Sequence, residues 1–294
     1  MSSVVDVNTH RNITSAIGKS TGEKGFYSRA PPAALYFTAR KKGMNDNTKR
    51  FSDRVTDYVK YRPSYPEAVF EYLSENFGLN KGSVIADIGS GTGIFTEPLL
   101  KRYATVFAVE PNREMRSYAE STLGGRSSFH SIDGTAEHTG LGDQSVDAIT
   151  VAQAFHWFDL ETTKAEFKRI LRGNGDAFLV WNERTTASDF MMGYEALLQS
   201  GIGEYSKVNS RNVTDEKIAG FIPVGHKSRS FASNRMYTWD ELLGRLASSS
   251  YTPKEGTGEF RALKEKLKEL FDRWSVGGRI KFLYTTEVHS GKMQ

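Results

Sequence analysis

Val84-Ile-Ala-Asp87-Ile-Gly89-Ser-Gly91-Thr-Gly93 is a short apolar run that ends in an acid and passes into three alternate glycines. The run predicts a buried strand over Ser83–Asp87, and the residues after it predict a helix over Phe95–Arg102. Glycine lets a backbone turn sharply and lets a ligand come close without meeting a Cβ. A glycine turn between strand and helix is a common ligand-binding corner of open α/β sheets. A GxG pattern alone is weak. Asp87, two residues before Gly89, discriminates: a carboxylate beside the turn would repel the pyrophosphate of a dinucleotide. The pattern therefore points to a nucleoside ligand without phosphates.

Outward from the turn, Thr105-Val-Phe-Ala-Val-Glu110 reads as a second strand ending in another acid. An acid about twenty residues past a glycine turn is placed to accept both hydroxyls of a ribose. Pro111 ends the strand, and Met115 is placed to lie against an adenine. Glu110 as a solvated strand end and Met115 as a core residue are the plainer alternatives. Further strands are expected over 128–132, 146–152, 176–182, 226–236 and 278–289, with helices over 66–77, 114–121, 240–247 and 258–274. Two more helices are expected around Ala165–Leu171 and Phe190–Leu198. Strands alternating with helices at this spacing make an α/β fold with parallel βαβ units.

Three segments carry a resemblance. ADIGSGTG (86–93), AVEPNREM (108–115) and DGTAEHTGLGDQSVDAITVAQAFHWFD (133–159) are similar to the successive motifs of class I S-adenosylmethionine-dependent methyltransferases. The small-molecule branch that includes trans-aconitate methyltransferase-like proteins is the nearest in pattern. The entry segment RFSDRVTDYVKYRPSYP and the late YTWDELLGRLASSSY extend the likeness from about Phe51 to the end. The resemblance implies a Rossmann-like, doubly wound sheet in the order 3-2-1-4-5-7-6, mostly parallel with an antiparallel strand seven, plus cover helices. It implies S-adenosylmethionine as cofactor, held by Asp87, Gly89, Ser90, Gly91, Gly93, Glu110, Pro111 and Met115. The cofactor's ammonium and sulfonium tolerate a nearby carboxylate where a pyrophosphate does not.

The resemblance also assigns Gly134, Thr135, Ala136 and Glu137 to the adenine edge, with Glu137 as a surface residue the alternative. Gln153 and His156 follow strand four, beside the point where the connections reverse and ligands gather. His156 is the candidate catalytic base or an anchor for an anionic acceptor, against a structural histidine. Before the first helix, Tyr58 could shield a sulfonium by cation–π attraction, and Arg62 could pair with the methionine carboxylate. A surface turn is the alternative there.

Composition narrows the classes. With no cysteine, thiolate-bound zinc and disulfides are excluded, and the six histidines show no metal spacing. No metal is expected. Residues 1–43 hold seven Lys/Arg against two Asp/Glu, a net of +5, so 44–294 carry about −1 of the total +4. That balance gives no support for nucleic-acid binding by the domain, and no apolar run reaches a membrane span. Residues 1–43 read as a disordered or non-native extension, and 44–294 as the methyltransferase domain with cover and acceptor-side elements in 183–277. The expected partner is a small-molecule methyl acceptor, with a carboxylate or hydroxyl as acceptor group, in a cytoplasmic enzyme. The alternatives are a non-catalytic S-adenosylmethionine-binding regulator and a methyltransferase acting on protein or RNA.

Overall fold

The computed structural model describes residues 59–203, 205, 213–249 and 251–293. The expectation for residues 1–43 lies outside them, as does Tyr58. A helix α1 (Glu67–Asn76) starts directly after Pro66, whose fixed φ suits a helix start. β1 (Val84–Ile88), α2 (Thr96–Leu100), β2 (Thr105–Val109), α3 (Arg113–Leu123) and β3 (Phe129–Ile132) then form the first parallel half. The Asn112 side chain caps α3 by accepting from the Met115 amide at 2.9 Å. β4 (Val146–Ala152), α4 (Leu160–Ile170) and β5 (Leu171–Arg184) build the other side. α5 (Asp189–Gly201), α6 (Asp215–Phe221), β6 (Val224–Tyr237), α7 (Trp239–Ala247), α8 (Gly258–Trp274) and β7 (Ile280–Lys292) complete the chain.

The seven strands lie in the order β3-β2-β1-β4-β5-β7-β6, and β7 runs antiparallel to both its neighbours. This is the order and polarity expected. β1 abuts β4, so the connections reverse between Asp87 and Thr150, which are register partners. Helices cover both faces. Along β5, Ala177, Leu179 and Trp181 enter one core, and Phe178 and Val180 enter the other. That period of two is what a strand buried on both faces shows. A third core gathers α5, α7 and α8 over Tyr237, Phe282 and Tyr284 of β6 and β7.

Most element bounds shift by a few residues, and three differences are instructive. α2 ends at Leu100 rather than Arg102. β5 begins at Leu171, not 176, because Val146 pairs with Leu171 and Ala148 next pairs with Asp176. The intervening Arg-Gly-Asn-Gly is a bulge that reads as a turn. α6 was not expected; its seven residues are too short for a clear period. Among the described residues, no helix is long and apolar enough to cross a membrane.

Candidate active site

The three alternate glycines all occupy the left-handed region, at φ +69°, +58° and +85° for Gly89, Gly91 and Gly93. They need that freedom for different reasons. A Cβ on Gly89 would sit 2.5 Å from Ala154 Cβ, and one on Gly93 2.6 Å from Leu123 Cδ1. A Cβ on Gly91 would meet only Met115 Sδ, at 3.8 Å. Gly89 and Gly93 therefore permit packing, whereas Gly91 faces open space.

The turn is held by the end of β2. Gly89 and Ser90 donate their amides to the Val109 carbonyl at 2.9 and 3.2 Å. Gly91 donates to Glu110 Oε2 at 2.9 Å, and Asn112 donates to Glu110 Oε1 at 2.8 Å. Three successive amides of the turn thus have protein acceptors, and none of the three is left to cradle a phosphate. Glu110 is 7% exposed, and burial raises its pKa against the pull of the Asn112 and Gly91 amides and of Arg116. Each carboxylate oxygen accepts one amide and keeps a second lone pair.

Asp87 lies beneath the turn at 0% exposure. Its Oδ2 accepts from Thr96 Oγ1 at 2.6 Å and its Oδ1 from Thr150 Oγ1 at 2.9 Å. Burial outweighs both bonds and pushes its pKa up to about 6. Asp87 therefore braces β1, β4 and α2 from below and does not line the cleft.

A cleft open to solvent lies beside the turn. The turn residues Gly89–Thr92 form one wall, and Ala152, Gln153, Asn182, Arg245 and Tyr284 contribute from β4, β5, α7 and β7. Gln153 holds φ +60°, rare for a residue with a side chain. Its amide donates to the Val180 carbonyl at 2.9 Å, and its Nε2 to the Asn182 carbonyl at 3.2 Å. Backbone strain of this kind collects at functional corners. The segment Arg62–Tyr65 closes one side. Arg235 donates to the Arg62 carbonyl at 3.0 Å, Tyr237 to the Tyr61 carbonyl at 3.2 Å, and Asn182 to the Ser64 carbonyl at 3.4 Å. Tyr65 meets Phe95 edge-on, with ring centroids 4.8 Å apart.

The structure thus brings Arg62, Gly89, Ser90, Gly91 and Gln153 to one cleft, with Glu110 behind the turn and Met115 facing Gly91. Pro111 is exposed at the head of α3, and Gly93 packs on Leu123. Gly134 packs against Val109 and Thr139, and Thr135 and His138 close a turn around buried Ala136. Glu137 Oε1 accepts from the Asp159 amide at 2.9 Å, a structural bond at the start of α4. His156 sits in a single 3-10 turn, Phe155–Trp157, its ring 4.5 Å from that of Trp157. It is not among the cleft-lining residues. Its Nδ1 is buried with no hydrogen-bond partner, and burial lowers its pKa to about 4.

The cleft also contains residues not singled out in the sequence. Thr92 has a buried hydroxyl without a partner. Asn182, Arg245 and Tyr284 come from segments far along the chain, and only the sheet order brings them here. Among the described residues, no group of His, Asp or Glu could hold a metal.

Residues 86–179 match the family described as methyltransferase domain. An uncharacterized methyltransferase-like protein of Schizosaccharomyces pombe is 30% identical over 258 residues, 84% of this chain and 96% of its own. An uncharacterized methyltransferase of Mycobacterium bovis is 37% identical over 139 residues, 47% of this chain and 54% of its own. A solved structure from Anaeromyxobacter dehalogenans, described as a candidate type II methyltransferase, shares the fold with a TM-score of 0.57 at 23% identity. It covers 79% of this chain and 98% of its own. Sheet order, glycine turn and full-length relatives agree, and the chain belongs to the class I S-adenosylmethionine-dependent methyltransferases.

Proposed function

We propose that the cleft between the Gly89–Gly93 turn and Gln153 holds S-adenosylmethionine and presents its methyl to a small-molecule acceptor, in the branch that resembles the trans-aconitate methyltransferase-like proteins. One observation carries the site assignment. The turn spends its amides on Val109 and Glu110, so it offers no phosphate cradle, yet it leaves Gly91 facing open space above a buried carboxylate. The residues fit the cofactor in three ways. Gly91 provides room, Thr92 has an unused hydroxyl, and each oxygen of Glu110 can still accept a ribose hydroxyl. Arg62 is the candidate partner for the methionine carboxylate, and Met115 with Gly134–Glu137 for the adenine side. Asp87 acts from beneath, by fixing the turn and placing negative potential under it.

When bound, the cofactor supplies an activated methyl group and a good leaving group. The chain's work is then to align the acceptor and exclude water. The cover built from 183–277 is the natural source of the acceptor wall. An ionised acceptor needs no general base, and His156, with a pKa of about 4, has little capacity to be one. The domain occupies 44–294, and the location is cytoplasmic.

Calorimetry with S-adenosylhomocysteine tests the assignment. Glu110→Ala should weaken binding by roughly 1–3 kcal/mol through loss of charge-assisted bonds. Wild-type affinity in both Glu110→Ala and Gly91→Val would overturn it.

A further inference from the structure

One stretch of sheet face lies open, on the side away from the cover. Trp181 of β5 and His289 of β7 meet edge-on at 5.7 Å on the side that bears α6. Side chains alternate along a strand, so Lys281, Leu283, Thr285 and Glu287 of β7 point to that same side. Their register partners on β6 are Met236, Asn234, Ala232 and Ser230. α6 packs at the His289 end, where Asp215, Glu216 and Ala219 share a cavity with His226 and His289. Past that end the four β6 residues are exposed, Met236 at 41%, and so is Lys281.

The two ends of this stretch carry opposite charge. The Lys281 ammonium forms no ion pair among the described residues. At the other end Glu287 sits in acidic company: burial, Glu183 and Asp215 all raise its pKa. The base beside it is His289, at 3.9 Å. Burial and His226 lower the pKa of that imidazole, so it supplies little counter-charge near neutral pH. Lys281 and Glu287 lie about 20 Å apart along the strand, well beyond a screening length of about 8 Å. They do not satisfy each other within one chain. Across a two-fold axis they do. An axis that passes Tyr284 between two stacked faces reverses the strands. Lys281 then lies over Glu287 and Leu283 over Thr285. On β6, Met236 lies over Ser230 and Asn234 over Ala232. Each larger side chain faces a smaller one, as packing across two stacked sheets requires.

We propose that the open β7–β6 face is a homodimer interface, occupied by a second copy of this chain stacked antiparallel on it. Each Lys281 pairs with Glu287 of the partner subunit, and the axis makes that contact twice. Both copies use the same patch, so the assembly closes as a dimer. Tyr284, which lines the cleft, points to the opposite side of β7, into the cover. The interface therefore leaves the cleft of each copy outside it, and the proposal stands apart from the cofactor reading.

Sedimentation velocity on the full chain, from about 1 to about 100 µM, reads the assembly, and circular dichroism checks the fold of each variant. The wild type is expected to be a dimer in the upper part of that range. Lys281→Glu and Glu287→Lys each place like charges together at two contacts, and each should raise the dimer dissociation constant about tenfold or more. The double variant Lys281→Glu/Glu287→Lys should recover most of the wild-type association, because both contacts are again opposite in sign. A change that acted only within one chain would show no such recovery. Ala232→Arg puts a long side chain at the middle of the face. It should abolish the dimer while dichroism and S-adenosylhomocysteine affinity stay as in the wild type, and it keeps the test valid should a charge reversal fold poorly. The proposal is overturned by a wild type that stays monomeric throughout the range, or by a dimer that Ala232→Arg leaves intact. Single reversals without effect, or with effects that add in the double variant, would also overturn it.

Discussion

The Glu110 carboxylate accepts the Gly91 amide at 2.9 Å, so the acid that ends β2 is bonded to the middle glycine of the turn after β1. The two strands are neighbours in register, Ile88 opposite Val109, and that register sets the bond. A change at either residue therefore acts on the other. Shortening the acid in Glu110→Asp should loosen the turn and reduce cofactor affinity by about tenfold with little loss of fold. Calorimetry beside thermal melting separates the two effects.

The glycines of the turn should fail in different ways. Gly91→Ala places a methyl in open space, with a backbone cost of about 1–2 kcal/mol, and should mainly lower cofactor affinity. Gly93→Ala drives a methyl to 2.6 Å from Leu123 Cδ1 and should mainly lower stability. Melting temperatures and S-adenosylhomocysteine titrations of both variants check this. Similar losses in both measurements for both variants would contradict it.

Asp87 should make stability depend on pH. Burial raises its pKa from 3.8 to about 6, so the folded chain holds this proton more tightly than the unfolded chain. Protonation favours the fold. The penalty of the ionised carboxylate is full above about pH 6 and fades as pH falls toward 3.8. Asp87→Asn should therefore melt higher than wild type at slightly alkaline pH, by roughly 3 kcal/mol at most. The two should converge in acid. A constant difference across pH would assign the effect to packing.

His156 should not produce a rate change near the ordinary histidine value. Its imidazole stays neutral down to about pH 4. Single-turnover methyl transfer by the wild type should be flat through pH 6.5, and His156→Asn should keep the same profile. A step near 6.5 that disappears in the variant would restore His156 as a proton acceptor.

Deleting residues 1–43 should leave both melting temperature and S-adenosylhomocysteine affinity unchanged. The charge contrast between the two parts motivates this, and a protein starting at Met44 provides the measurement.

The cofactor half was legible because its signals are local. An apolar run, an acid and spaced glycines identify β1 and its turn within ten residues, and Glu110 follows on the next strand. The sheet order came from the resemblance, and the antiparallel pairing of β5 with β7 agrees with it. Arg245 and Tyr284 were invisible for a related reason. Tyr284 reaches the cleft because it is paired with Arg184 across the reversed strand, and Arg245 because its helix α7 packs in the same interior as Tyr284. No local pattern encodes either approach. The start of β5 was missed because Arg-Gly-Asn-Gly has the composition of a turn, while its pairing with β4 is set by a bulge. Asp87 was expected near the ligand, but the two threonines that claim its oxygens lie 9 and 63 residues away.

The cover has its own hydrophobic interior, made by α5, α7 and α8 with parts of β6 and β7, separate from the two interiors that flank the sheet. Units of this kind can open or repack without dissolving their neighbours. Mutations that reshape the acceptor wall draw on the stability of that one interior, and the glycine turn with its β1–β2 support is insulated from them. A lineage can therefore exchange one acceptor for another by drift in the cover alone, while the methyl-donating half stays under unchanged constraint.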